Sequence, residues 1–266
     1  MEVTQFPRLS LRLGAGPLST RSDVSMNPPT RSELLVHWTG RDCKDPHLFI
    51  ERLKSIYENG LYYTDSNFYN LHGVGGDAPS ECKLPHLPSI CFTELRLRHA
   101  HRFSKRYGTL GIVFQRAYLI KKGGANPVFY IHSGNSGIVN THVVRLSNSS
   151  EINSENTTSN DQKYILSFCK PMSKPEQGDL VYFEEHEWRM VVFQSWETNG
   201  NFLPLEFRSC KRSPTERSFY FEHHEVQAIV FPDKETRRMA MKDPTMQRHF
   251  NDHAPQLIDL DLCHNV

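Results

Sequence analysis

The sequence predicts an α+β protein: a mixed, mainly antiparallel sheet with flanking helices. Three observations carry that expectation. Strand-like and helix-like segments do not alternate in the regular manner of a doubly wound sheet. No internal repeat of the kind that builds solenoids or propellers is present. The chain has 266 residues, 38% of them hydrophobic, enough to bury a sizeable core in one large domain or two small ones.

Residues 1–32 carry Pro, Ser, Gly and Arg without sustained periodicity, which argues for a disordered leader or for a true start at Met26 rather than Met1. A single α+β domain is expected over residues 33–266. Its first element, the apolar segment Leu34-Leu35-Val36-His37-Trp38, reads as a strand that ends at Thr39-Gly40. Asp45 followed by Pro46 is a helix start; Phe49, Ile50, Leu53, Ile56 and Tyr57 then recur at helical spacing until Gly60. The segment from Tyr62 to His72 continues into a loop with Gly73, Gly75 and Gly76. A phosphate-cradle reading of those glycines lacks a following helix start and lysine, so a plain loop is read.

Ser89-Ile90-Cys91-Phe92 has the look of a short buried strand, after which Thr93 caps a helix through Leu95, His99, Arg102 and Phe103 toward Gly108. Leu110–Gln115 and Pro127–His132 are rich in strand formers and are separated by a turn at Lys121-Lys122-Gly123-Gly124. Residues 147–160 are so dominated by Ser, Asn, Thr and Glu that they read as an exposed polar insertion. Beyond Gly178 a long strand runs from Leu180 to Trp196, followed by strands over Phe202–Phe207, Ser218–Phe221 and Val226–Phe231. Two short helices close the chain, Asp233–Met241 and Pro244–Phe250.

Composition excludes several classes. The net charge of +1 and 23% charged residues fit a globular protein rather than a disordered or uniformly nucleic-acid-coating one. No apolar run approaches the roughly 20 residues that cross a bilayer, and no secretory signal is evident. The six cysteines form no C-x-x-C pair and read as reduced thiols of a cytoplasmic protein. Among fourteen histidines, the pairs His99 with His101 and His223 with His224 lack the carboxylate or thiolate companions and the helical i, i+4 spacing of typical metal sites, so no metal is expected.

The segment Glu184-Glu185-His186-Glu187-Trp188-Arg189-Met190-Val191-Val192-Phe193 carries the most chemical information. At a two-residue period, Glu185, Glu187 and Arg189 share one strand face. Two neighbouring carboxylates raise each other's pKa while an arginine holds one ionised, an arrangement suited to acid–base or oxocarbenium chemistry. The same residues also make an ordinary solvent-facing charged strand.

Leu35-Val36-His37-Trp38-Thr39, Ile90-Cys91-Phe92-Thr93-Glu94, the stretch from His101 through Tyr107-Gly108-Thr109-Leu110-Gly111-Ile112, Asn126-Pro127-Val128-Phe129-Tyr130 and Glu187-Trp188-Arg189 resemble, in this order, the AbiGi-type abortive phage-infection proteins over roughly Leu34 to Pro232. That resemblance implies one half of a defence pair, the antitoxin half in some descriptions. The same order more distantly resembles DarT-like ADP-ribosyltransferases, with His37, Phe92-Thr93 and Glu187 in the three key places. This second resemblance implies an ADP-ribosyltransferase-like fold and NAD as co-substrate. Glu187 and Glu185 would then be the catalytic pair, and His37, Thr39, Phe92, Thr93, Tyr107 and Arg189 would surround the cofactor. A carboxylate beside the ribose stabilises the oxocarbenium ion left when nicotinamide departs, so its loss costs roughly 3 kcal/mol of barrier, about a hundredfold in rate.

Between Glu94 and Lys122, eight Lys and Arg residues stand against Glu94 alone. Arg98, Arg102, Lys105, Arg106, Lys121 and Lys122, interleaved with aromatic residues, would run along a nucleic-acid backbone, or else form a solvated basic face. Two functions follow as expectations. One is a phage-defence toxin that transfers ADP-ribose from NAD to a DNA or RNA acceptor. The other is a non-catalytic antitoxin-like subunit that restrains a paired defence protein.

Overall fold

In a computed structural model, the described residues are 32–64, 70–72, 81–83, 87–96, 99–132, 138–147, 157–172, 183–191 and 218–265. Apart from Ser32, the expected leader lies outside them, as do residues 148–156 of the polar insertion, Gly73, Gly75 and Gly76, and the strand expected over Phe202–Phe207.

In chain order the elements are β1 (Leu34–Thr39), α1 (Pro46–Asn59), β2 (Leu61–Tyr62), β3 (Asn70–His72), β4 (Glu81–Lys83), β5 (Ser89–Glu94), α2 (Ala100–Tyr107), β6 (Leu110–Gln115) and α3 (Arg116–Gly123). There follow β7 (Asn126–Pro127), β8 (Phe129–Ile131), α4 (Ile138–Ser147), α5 (Thr157–Leu166), β9 (Cys169–Pro171), β10 (Glu187–Val191), β11 (Ser218–Phe219), β12 (Val226–Phe231), α6 (Lys234–Lys242), α7 (Pro244–His253) and β13 (Gln256–Asp259). A seven-stranded sheet in the order β13-β12-β6-β1-β5-β10-β7 forms the centre, antiparallel throughout except for the parallel β12–β13 pair. The mixed, mainly antiparallel α+β expectation therefore holds.

Strand alternation sorts the core onto two faces. Leu35, Phe92, Ile112, Phe114, Met190, Ile229 and Phe231 point to one face, where Leu53 of α1, Leu119 of α3, Ala240 of α6 and Met246 of α7 complete the packing. Val36, Trp38, Val113, Ala228 and Val230 point to the other, covered by Ala100 and Phe103 of α2 and by Leu260 and Cys263 of the closing 3-10 turn.

Helix α1 forms as its sequence dictates. The Asp45 side chain accepts from the Leu48 amide at 3.1 Å, Pro46 takes the first turn, and Gly60 ends the helix at φ 77° while its N–H donates to Ile56 O. At Gly60 a Cβ would stand 2.4 Å from the Phe219 carbonyl oxygen, so backbone conformation and close approach both require glycine. Asp233 caps α6, and Asp243 ends α6 and caps α7. Lys54 of α1 binds Asp243 at 2.7 Å, tying that junction to the first helix.

Three local expectations are corrected. Thr93 does not cap a helix: it lies in β5, its hydroxyl accepts from Trp38, and α2 begins seven residues later at Ala100. The supposed turn at Lys121–Gly124 is the end of helix α3, closed by left-handed Gly124, whose N–H donates to Ile120 O. The long strand from Leu180 is, within the described residues, a 3-10 turn over Phe183–Glu185 and the short β10, separated by His186 at φ 44°.

Candidate functional site

Strands β1 and β5 pair only at Leu35 with Glu94 and at Val36 with Thr93. Beyond that point β1 stays with β6 while β5 stays with β10, and the two central strands diverge. Two side-chain bonds cross the gap: Trp38 Nε1 donates to Thr93 Oγ1 at 3.0 Å, and His37 Nδ1 lies 3.0 Å from the Cys91 carbonyl. The gap is a cavity of about 470 Å³. Val36–Thr39 form one wall and residues of β5 the other, with Arg52, Ser55 and Ile56 of α1 at one end and Tyr107, Lys170, Glu185 and Glu187 at the opposite end.

The charged end is a buried ion cluster. Lys170 Nζ donates to Glu185 Oε2 and to Glu187 Oε2, each at 2.5 Å. Arg189 Nε donates to Glu187 Oε1 at 2.5 Å, and its Nη1 reaches Ser167 O at 2.6 Å. Arg106 pairs with Glu185 Oε1, and Arg102 with Glu184. Glu187 N–H donates to the Tyr130 hydroxyl at 2.8 Å. The left-handed backbone at His186 turns the chain between the two glutamates, so that Glu185, on the 3-10 turn, and Glu187, on β10, meet one lysine.

The expectation of a solvent-facing charged strand is thereby overturned, because Glu185, Glu187, Arg189 and Lys170 are all buried. Two such carboxylates together would repel, and Lys170 removes that repulsion. Burial alone would raise the Glu187 carboxyl, but Arg189 and then Lys170 outweigh it and hold the group well below the usual carboxylate range. Cys91 is exposed to the cavity it lines, yet the protein crowded around it, reinforced by Glu187, pushes its thiol up to about 12, so the cavity presents a protonated thiol rather than a nucleophilic thiolate. Burial also lowers His37, against its bond to the Cys91 carbonyl, and the ring is neutral near pH 7. The Tyr107 phenol is pushed up by burial in the same way.

Of the residues singled out from sequence, His37, Thr39, Thr93, Tyr107, Glu185 and Glu187 line this one cavity. Phe92 and Arg189 stand behind its walls. Phe92 lies in the apolar core, edge-on to His37 and Phe114. Lys170, which neutralises both glutamates, was missed; its signal was a lysine set among Phe168, Cys169, Pro171 and Met172, where a cation must find a buried partner.

The basic residues do not form one surface. Arg102 and Arg106 pair with Glu184 and Glu185. Lys105 and Arg106 end α2 while Lys121 and Lys122 end α3, places where a cation complements the helix dipole, and the two helices lie on opposite faces of the sheet. Arg98 lies outside the described residues. Among those residues no helix is long and apolar enough to cross a membrane.

A family model described as "Putative abortive phage resistance protein AbiGi, antitoxin" matches residues 81–225. No curated protein and no solved structure matches the chain. These comparisons support the AbiGi part of the resemblance and lend nothing to the DarT-like part. The match covers more than half of the sequence, from β4 through the 3-10 turn before β12, and takes in Lys170 and both glutamates, so the chain belongs to the AbiGi abortive phage resistance family.

Proposed function

We propose that this protein is the non-catalytic, antitoxin-like subunit of an abortive-infection pair and acts by restraining a partner toxin. The family description supports this reading, and one geometric observation carries it: all four carboxylate oxygens of Glu185 and Glu187 already accept bonds from buried or half-buried cations. Three cations against two carboxylates leave the cluster with a net positive charge. A developing oxocarbenium ion would meet repulsion there, whereas transition-state stabilisation requires a preorganised field of opposite sign. The cluster is better suited to fixing β9, β10 and α2 around the cavity than to supplying a free carboxylate.

Co-expression tests this reading. The partner toxin of the pair should arrest growth when expressed alone and lose that effect when this chain is present, and this chain alone should be harmless. Failure to relieve the arrest contradicts the reading.

A second reading, transfer of ADP-ribose from NAD to a nucleic acid with Glu187 catalytic, draws support from the convergence of His37, Thr39, Thr93, Tyr107 and Glu187 on one cavity. It requires Lys170 or Arg189 to release Glu187 when substrate enters. Incubation with labelled NAD and mixed DNA, RNA and protein acceptors distinguishes the two: label that appears with the parent and disappears with Glu187→Gln favours the transferase, and no label favours the restraining subunit.

A further inference from the structure

Two histidines, His223 and His249, pack on Tyr57 of α1, and His253 and His224 lie beside them. His223, in the 3-10 turn His223–Glu225, lies with Nε2 3.0 Å from the Tyr57 carbonyl oxygen. A carbonyl only accepts, so His223 Nε2 donates to it, which leaves Nδ1 for a second partner. That Nδ1 is hydrogen-bonded to His249 Nδ1 at 3.1 Å, the two nitrogens sharing one proton. The His249 ring stacks on Tyr57, with centroids 4.6 Å apart and planes 20° apart. His253 follows His249 by four residues on α7, the i, i+4 spacing that puts two side chains on one helix face. Its exposed ring lies 6.0 Å from His223 and 5.9 Å from His224, centroid to centroid.

A metal ion taking the place of that shared proton finds the two nitrogens at ligand spacing: with metal–nitrogen bonds of about 2.0–2.1 Å, a separation of 3.1 Å gives a ligand–metal–ligand angle of roughly 100°, close to tetrahedral. The Tyr57 carbonyl holds His223 as outer-shell carbonyls hold metal-ligating histidines, fixing tautomer and ring orientation. Burial lowers the His249 pKa, with His223 and Arg248 adding to the effect and Asp252 and Glu58 opposing it, so a metal has only the shared proton to displace near neutral pH. Among the described residues no three His, Cys, Asp or Glu side chains stand gathered for a metal as they are. Two nitrogens are adjacent, and the exposed His253 ring is a further imidazole close to His223, outside that pair and on the same helix as His249.

We propose that His223, His249 and His253 form a site for a transition-metal dication of the zinc class, clamping the His223–Glu225 turn and α7 together against α1. This inference is independent of the antitoxin reading, and its test involves no partner. The full chain, stripped with chelator and titrated with zinc sulfate by calorimetry at neutral pH, should bind one equivalent and gain thermal stability. His223→Gln and His249→Gln should each weaken binding by more than tenfold, and His47→Gln, at an exposed position on α1, should leave it unchanged. Acidification below the histidine range should abolish binding. If either buried-side variant fails to fold, His253→Gln carries the test, since its exposed ring contributes little to packing. No zinc uptake by the parent, or equal affinity in His253→Gln and the parent, overturns the proposal.

Discussion

The Lys170–Glu187 cluster and the His223–His249 cluster are both knots of ionisable side chains, built on opposite principles. In the first, full charges are mostly buried and paired, with one positive charge in excess, and each carboxylate oxygen is bonded. In the second, imidazole rings pack at the half-exposed edge of the fold, held by one carbonyl and by contact with Tyr57. A buried ion cluster is costly to break because any one deletion strands its partners. A histidine cluster is cheap to alter, and a proton or a metal suffices. The difference teaches that the cavity is a permanent feature of the fold and the histidine edge an adjustable one.

The sharpest way to break the comparison is Lys170→Met. With the lysine gone the two glutamates face each other in a buried site, and a loss of about 3–5 kcal/mol is expected in chemical denaturation. A loss below about 1 kcal/mol would mean that the cluster is not the fixed structure described.

Acid titration separates the two regions by pH. The Glu187 carboxyl is depressed in the folded state, so its stabilisation is complete above about 4.5, the ordinary glutamate value, and is lost as pH falls further toward the folded pKa. His249 is also depressed, but as a base: the folded state resists protonation, so stability is complete above about 6.5 and declines as pH drops below it. Unfolding followed from pH 8 to pH 3 should therefore show a shallow decline first, to which the depressed His37 also contributes, and a steeper one below pH 4.5; His249→Gln should weaken only the first.

Smaller effects calibrate the scale. Trp38→Phe deletes the neutral bond to Thr93 across the gap between β1 and β5 and should cost about 1 kcal/mol, well under the Lys170 effect. His249→Gln, without metal at neutral pH, should change stability by about 0.5 kcal/mol or less, as a half-exposed side chain does.

What could be read from sequence was mostly local. Asp45-Pro46 and Gly60 delimited α1 because capping is decided within a few residues, and Asp233 and Pro244 announced the last two helices for the same reason. Leu34–Thr39, Leu110–Gln115 and Val226–Phe231 were legible as strands from their apolar, β-branched character. The order in which they pair was not, since β1 lies between β5 and β6, tens of residues away in sequence. Thr93 shows the ambiguity at its plainest: a hydroxyl after a strand reads as a helix cap until Trp38, 55 residues earlier, is found to claim it. At the cavity, the types and spacing of Glu185 and Glu187 were visible, but their burial and neutralisation depend on Lys170 and Arg106, which only the fold brings to them. The histidine edge escaped notice because His223 and His249 are separated by 26 residues and meet only when α7 folds back on α1.

The growth assay with this chain expressed alone, and then together with its partner toxin, tests the central claim most directly. Normal growth alone and restored growth in the presence of the toxin, both unchanged by Glu187→Gln provided the variant folds, is the expected result. Growth arrest by this chain alone, relieved by Glu187→Gln, would contradict it.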